Sequence, residues 1–140
     1  MSLRPRRSCL YMPGSNARAL EKARALPADT LILDLEDAVA PDAKAMARNQ
    51  VAAAAKAGGF GKREIVIRIN GLKTPWGGDD LVAAAEASPD AILVPKVSTP
   101  GDIMMAAKAL REAGASEKTR LWAMMETPLA MLNADSIART

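Results

Sequence analysis

Five short apolar runs divide the chain at near-regular intervals, over residues 8–12, 30–35, 64–70, 91–97 and 121–125. Two of them, Leu31-Ile32-Leu33 and Ala91-Ile92-Leu93-Val94, are apolar without interruption, the pattern of parallel strands covered on both faces. Between the runs lie alanine- and charge-rich stretches with helical spacing, over residues 16–26, 41–57, 79–87 and 100–113, and a last one beginning at Pro128. The punctuation agrees with this division. Thr99-Pro100 and Thr127-Pro128 each set a cap-competent threonine before a proline at the first helical position. Gly58-Gly59 and Gly114 stand where helices should stop. The pattern predicts β-α-β-α throughout, as one domain over residues 1–140.

Each strand runs into polar residues at the same end. The first ends in Pro13-Gly14-Ser15, the second in Asp34-Leu35-Glu36-Asp37; the third carries Arg68 and Asn70, the fourth Lys96 and the fifth Glu126. In α/β folds the carboxyl ends of the strands are where active sites gather. No Gly-x-Gly-x-x-Gly or Walker-type loop follows strand one, which argues against a dinucleotide or nucleoside-triphosphate fold. The strand-end residues lie roughly 28 positions apart, the length of a barrel's βα unit, and a closed barrel takes eight such units over about 250 residues.

Composition narrows the chemistry. There is no histidine and a single cysteine, Cys9, so internal disulfides, His–Cys zinc sites and Ser-His-Asp triads are excluded. The chemistry falls to carboxylates, Arg, Lys and a hard metal, in an expected reducing, cytoplasmic setting. No apolar run approaches the length of a membrane span, and the basic stretch 1–7 leads into a mixed strand rather than a signal core. Net charge is +3, with Arg4, Arg6, Arg7, Arg18, Lys22 and Arg24 against Glu21 alone at the front. That front has no recognition helix or stacking platform, which argues against a nucleic acid; a small phosphorylated molecule fits it as well, and an ordinary solvated face is the plain default.

Glu126 ends an apolar strand just before a helix start, where a carboxylate suits Mg²⁺; a solvated or lysine-paired glutamate is the plain alternative. Arg68, flanked by Ile67 and Ile69, is expensive to bury unpaired. It would fork onto a substrate carboxylate or enolate oxygen, pair with Asp34 or Glu36, or do both. Asp34, Glu36 and Asp37 crowd three carboxylates into four positions, which should raise one another's pKa or recruit a cation. Asp34 and Glu36 share a face, Asp37 enters the loop as a candidate helix cap, and Lys96 would neutralise the cluster. Arg18 and Lys22, four apart after the Pro13-Gly14-Ser15 turn, would suit a pyrophosphate. Met12, Met104, Met105, Met124 and Met125 read as core filler, Cys9 as buried and inert, and Trp76 as lining the site or covering it.

The ordered segments Leu10-Tyr11-Met12-Pro13-Gly14-Ser15-Asn16, Leu31-Ile32-Leu33-Asp34-Leu35-Glu36-Asp37-Ala38-Val39, Val66-Ile67-Arg68-Ile69-Asn70-Gly71, Ile92-Leu93-Val94-Pro95-Lys96-Val97 and Met125-Glu126-Thr127-Pro128 resemble the citrate lyase β-subunit and malyl-CoA lyase family of CoA-ester lyases. The resemblance implies a TIM-type (β/α)₈ barrel of the phosphoenolpyruvate/pyruvate superfamily, of which these residues make about the first five units. It implies bound Mg²⁺, a trimer or hexamer, Arg68 as the substrate-binding arginine and Glu126 as the first metal ligand, and it sets Arg18 and Lys22 near CoA phosphates. The family's second metal ligand is an Asp one unit past Glu126, beyond Thr140, and Asp135 is not accepted in its place. The implied reaction is Mg²⁺-dependent carbon–carbon cleavage of a malyl-, citramalyl- or citryl-type 3-hydroxyacyl-CoA, or its reverse. Arg68 would stabilise the enolate, with Glu36 or Asp37 orienting water or relaying protons. The alternatives are a pyruvate-dependent class II aldolase of the same superfamily and a non-catalytic, shortened chain.

Overall fold

The computed structural model describes residues 4–140, so the first three residues of the basic stretch lie outside the described residues. Five strands form one parallel sheet in the order β1 (Cys9–Pro13), β2 (Thr30–Asp34), β3 (Glu64–Arg68), β4 (Ala91–Val94), β5 (Arg120–Ala123). The order follows the chain without reversal. A doubly wound sheet turns back on itself at its switch point, whereas consecutive order is that of a (β/α)₈ barrel, and these are five consecutive barrel strands. The register sets Pro13 beside Asp34 and Asp34 beside Arg68, which brings the charged strand ends together.

The helices are α1 (Ala17–Ala23), α2 (Lys44–Ala57, entered through a single 3₁₀ turn at Pro41–Ala43), α3 (Gly77–Ala87), α4 (Pro100–Glu112), α5 (Pro128–Leu132) and α6 (Ala134–Ala138). Among the described residues, no helix is long and apolar enough to cross a membrane. The main core lies between the outer face of the sheet and the helices: Leu31, Leu33, Ile67 and Ile92 pack with Leu20, Ala47, Val51, Leu81, Ala84 and Leu110. On the inner face a smaller cluster joins Ile32, Val66, Ala91 and Leu93 to Trp122 and Met124. Burial on both faces explains why β2 and β4 read as unbroken apolar runs.

Four details differ from the sequence expectation. α3 begins two residues earlier, at Gly77, because its first turn is pressed onto the preceding loop: a Cβ on Gly77 would stand 2.2 Å from the Gly71 carbonyl oxygen. The last helix is broken at Asn133, whose backbone leaves helical geometry (φ −102°, ψ 10°) and whose amide donates to the Ser98 carbonyl at 2.9 Å. Cys9 is exposed, not buried, since it lies on the first strand of the sheet with a neighbour on one side only. Met12 is core, but Met104 and Met105 are 58% and 40% exposed, because they fall off the Ala106–Leu110 stripe that α4 turns inward.

Candidate active site

Parallel register delivers Asp34 and Arg68 to adjacent positions at the carboxyl end of β2 and β3. Both side chains are buried, and the guanidinium forks onto the carboxylate, with Nε 2.6 Å from Oδ1 and Nη2 2.7 Å from Oδ2. Asp34 also accepts the backbone N–H groups of Glu36 (2.9 Å) and Ala38 (3.0 Å), so it folds the loop after β2 around itself. Burial pushes its carboxyl up, but the Arg68 bonds and the two amides outweigh that and hold it below the ordinary range. Burial likewise works against the Arg68 cation, and its bonds to Asp34 outweigh this, so it stays above its ordinary value. The ion pair expected of Arg68 is therefore present and uses two of its nitrogens. The third, Nη1, faces Glu36 Oε2 at 3.0 Å, Asp37 at 3.8 Å and the Met124 sulfur at 3.6 Å, and the Tyr11 ring covers the group at 4.9 Å.

Glu36 is buried and Asp37 exposed. Lys96 Nζ is bonded to Glu36 and lies 3.5 Å from Asp37, and these contacts hold its pKa up, the Glu36 bond most strongly. Of the two outcomes expected of the carboxylate cluster, the recruitment of cations is present, in Arg68 and Lys96. Glu36 Oε2 is buried without an aligned donor, since Arg68 Nη1 is close but off the hydrogen-bonding direction. Asp37 caps no helix, for both α2 and the turn before it lack a side-chain cap.

Behind this cluster stands a network that the sequence reading missed. Lys44, nearly fully buried, donates to the carbonyls of Leu35 (2.9 Å) and Glu36 (2.7 Å) and to Asn70 Oδ1 (2.8 Å). Burial lowers its pKa, partly opposed by the surrounding carboxylates. Asn70 in turn donates through its side chain to Leu35 O and through side chain and backbone to Asp80, which Arg48 also binds at 2.7 Å. Of the two roles expected of Trp76, the structure shows the lining one: it packs over Lys44, 5.3 Å from Nζ, and with Glu36, Asp37 and Thr74 lines a cavity of about 270 Å³. The signal was present in sequence, because Lys44 lies on the same helical stripe as the buried Ala47 and Val51. Larger hollows of about 870 and 390 Å³ lie at the opposite end, around Arg4 and Arg63, away from every strand-end residue singled out above.

Glu126 is exposed after β5, and its Oε1 accepts the backbone N–H of Lys96 at 2.8 Å. The next residue, Thr127, caps α5 as expected by accepting the Ala130 N–H at 3.0 Å. Among the described residues no three carboxylate or cysteine side chains are grouped to hold a metal. The donor set fits Mg²⁺ through one hard ligand, Glu126, since Mg²⁺ commonly takes one or two protein carboxylates and completes its shell with water and substrate oxygens. Arg18 and Lys22 are exposed on α1, and no bond joins either to Arg68, Glu36 or Glu126.

Comparison with known proteins gives this geometry a context. The family described as HpcH/HpaI aldolase/citrate lyase matches residues 7–140. A (3S)-malyl-CoA thioesterase of Cereibacter sphaeroides is 48% identical over 134 residues, covering 96% of this chain and 45% of its own length. The citrate lyase subunit beta of Escherichia coli is 36% identical, covering 96% of this chain and 46% of its own. The protein CitE of Mycobacterium tuberculosis, solved with magnesium, acetoacetate and coenzyme A, superimposes with a TM-score of 0.72 at 27% identity, over 93% of this chain and 43% of its own. The chain spans about half the length of the relatives it matches. With strand order, strand-end residues and these likenesses in agreement, the chain belongs to the HpcH/HpaI aldolase/citrate lyase family.

Proposed function

We propose that this chain supplies the Arg68–Glu126 part of the active site of a Mg²⁺-dependent carbon–carbon lyase acting on a malyl-, citramalyl- or citryl-type 3-hydroxyacyl-CoA. The observation that carries the reading is the Nη1 edge of Arg68, which the Asp34 fork leaves unused and holds toward Glu36 at the carboxyl end of the sheet. A fixed guanidinium stabilises charge that develops on a thioester oxygen better than a mobile one, because it needs no reorganisation as the charge appears. Glu36 Oε2, which has no aligned donor, is the acceptor suited to the substrate's hydroxyl proton. As that proton leaves, the hydroxyl carbon becomes a carbonyl, the adjacent carbon–carbon bond breaks, and its electron pair passes into the thioester as an enolate against Arg68. Protonation of the enolate carbon then gives an acyl-CoA and an oxo-acid. Glu126 would hold Mg²⁺, which when bound supplies Lewis acidity toward the substrate's carboxylate and neighbouring oxygen. Asp37 orients water at the rim, and Arg18 and Lys22 offer two cations to the CoA phosphates.

A second reading, hydrolysis of the same thioester, is favoured by the 48% identity to a (3S)-malyl-CoA thioesterase. One assay separates the two. With (3S)-malyl-CoA and Mg²⁺, the native protein purified from its source should release glyoxylate and acetyl-CoA without a free thiol. Release of malate and CoA thiol would instead establish hydrolysis, and no turnover of any 3-hydroxyacyl-CoA would overturn both readings.

A further inference from the structure

We propose that Lys96 is a positioning residue that fixes the Glu126 carboxylate relative to the Glu36–Asp37 pair, an assignment that rests on the functional reading above. Lys96 follows β4 and has φ 51°, one of two non-glycine residues with positive φ among the described residues, the other being Ser88. In this left-handed conformation its two ends serve different strands. The backbone N–H binds Glu126 after β5, while the ammonium binds Glu36 and approaches Asp37 after β2. One residue therefore sets the span between a candidate metal ligand and a candidate proton acceptor.

The energetics favour geometry over stability as the reason for a lysine here. An L side chain in the left-handed region costs free energy that glycine would not. The Lys96 side chain is 55% exposed, and ion pairs that open to solvent return little stability. If the turn alone mattered, glycine would serve it better, so what lysine adds is the placement of its ammonium. The junction of the two loops does not depend on it. Ser98 Oγ meets Thr127 Oγ1 at 2.7 Å, and Asn133 donates to Ser98 O, so the β4 and β5 loops stay fastened without the Lys96 side chain.

The test compares Lys96→Gly, which keeps the N–H to Glu126 and relaxes the turn, with Lys96→Arg and with Ser88→Gly, all in the native protein. Ser88→Gly relieves the same kind of strain at the C-terminal end of α3, away from the carboxyl end of the sheet. Both glycine variants should hold or raise the melting temperature. Lys96→Gly should lower kcat at least about tenfold with the KM for the CoA ester within about twofold, because a positioning residue acts on the carboxylates and not on the bound ester. Lys96→Arg should recover part of the loss, and Ser88→Gly should show none. A Lys96→Gly variant with full kcat, or a loss that follows a fallen melting temperature and is not relieved by arginine, would overturn the proposal. If the wild-type protein turns over no CoA ester, the functional reading fails and a second readout decides the geometry. Amide exchange over residues 36–39 should then quicken in Lys96→Gly and not in Ser88→Gly; unchanged exchange would overturn the positioning role.

Discussion

Arg68 divides its atoms between structure and the proposed chemistry: Nε and Nη2 belong to Asp34, and Nη1 is turned to the inner face beside Glu36. Arg68→Lys should therefore lower turnover by roughly a hundredfold, because an ammonium cannot hold Asp34 by a fork and still present a fixed donor. Near-normal kcat in that variant would make the arginine purely structural. Arg68→Ala should cost about 3–5 kcal/mol in urea unfolding, since Asp34 would remain as an uncompensated buried carboxylate. At this scale the sequence was only partly legible. Arg68, Asp34 and Lys96 could be placed because strand parity and strand ends are readable in one dimension. Lys44, Asn70 and Asp80 could not be joined, because their network depends on how α2 and α3 lie against two strand ends. Cys9 was misplaced for a related reason: an apolar run reveals a strand, but not whether a neighbour covers it.

Among the elements, α4 shows how a start signal is read correctly for a partly different reason. Thr99-Pro100 marks its beginning, but Asp102 ties the cap by reaching back to the N–H groups of Ser98 (3.1 Å) and Thr99 (2.9 Å) and to the Thr99 hydroxyl (3.0 Å). Although burial works against the ionised form, those amides and Lys73 lower the Asp102 pKa from an ordinary 3.8 to about 2. A depressed folded-state pKa means that the unfolded chain binds more protons in that window. The contribution of Asp102 is present above about pH 4 and is lost as the pH falls toward about 2. Urea midpoints should fall over that range in the wild type and less steeply in Asp102→Asn; an equal slope would remove Asp102 from the account. The start of α3 makes a second element-scale prediction. Gly77→Ala should destabilise by about 1–3 kcal/mol, because the new methyl meets backbone rather than a yielding side chain. A melting temperature unchanged by Gly77→Ala would contradict this close approach.

For the molecule as a whole, β1 and β5 are the outer strands of the sheet, each paired on one side only. Unpaired strand edges invite further pairing, and Leu10, Tyr11, Leu129 and Leu132 add exposed apolar surface at the two ends of the chain. The 140-residue chain in isolation should therefore self-associate, seen as a sedimentation coefficient that rises with concentration. A stable monomer of 14.8 kDa with cooperative unfolding would refute it. The inner face of the sheet has a further consequence. At the amino ends of the strands, Arg6 forks onto Glu64 and lies over Trp122; at the carboxyl ends, Arg68 forks onto Asp34; between them sit Ile32, Val66 and Leu93. Four residue steps of strand, about 13 Å, separate the two forks along β3. The apolar layer works as an insulating septum between two self-neutralised charge systems, one anchoring the floor and one facing the chemistry. The floor can then be rewired, its Arg6–Glu64 fork replaced by apolar side chains, without retuning the electrostatics that a substrate would meet above it.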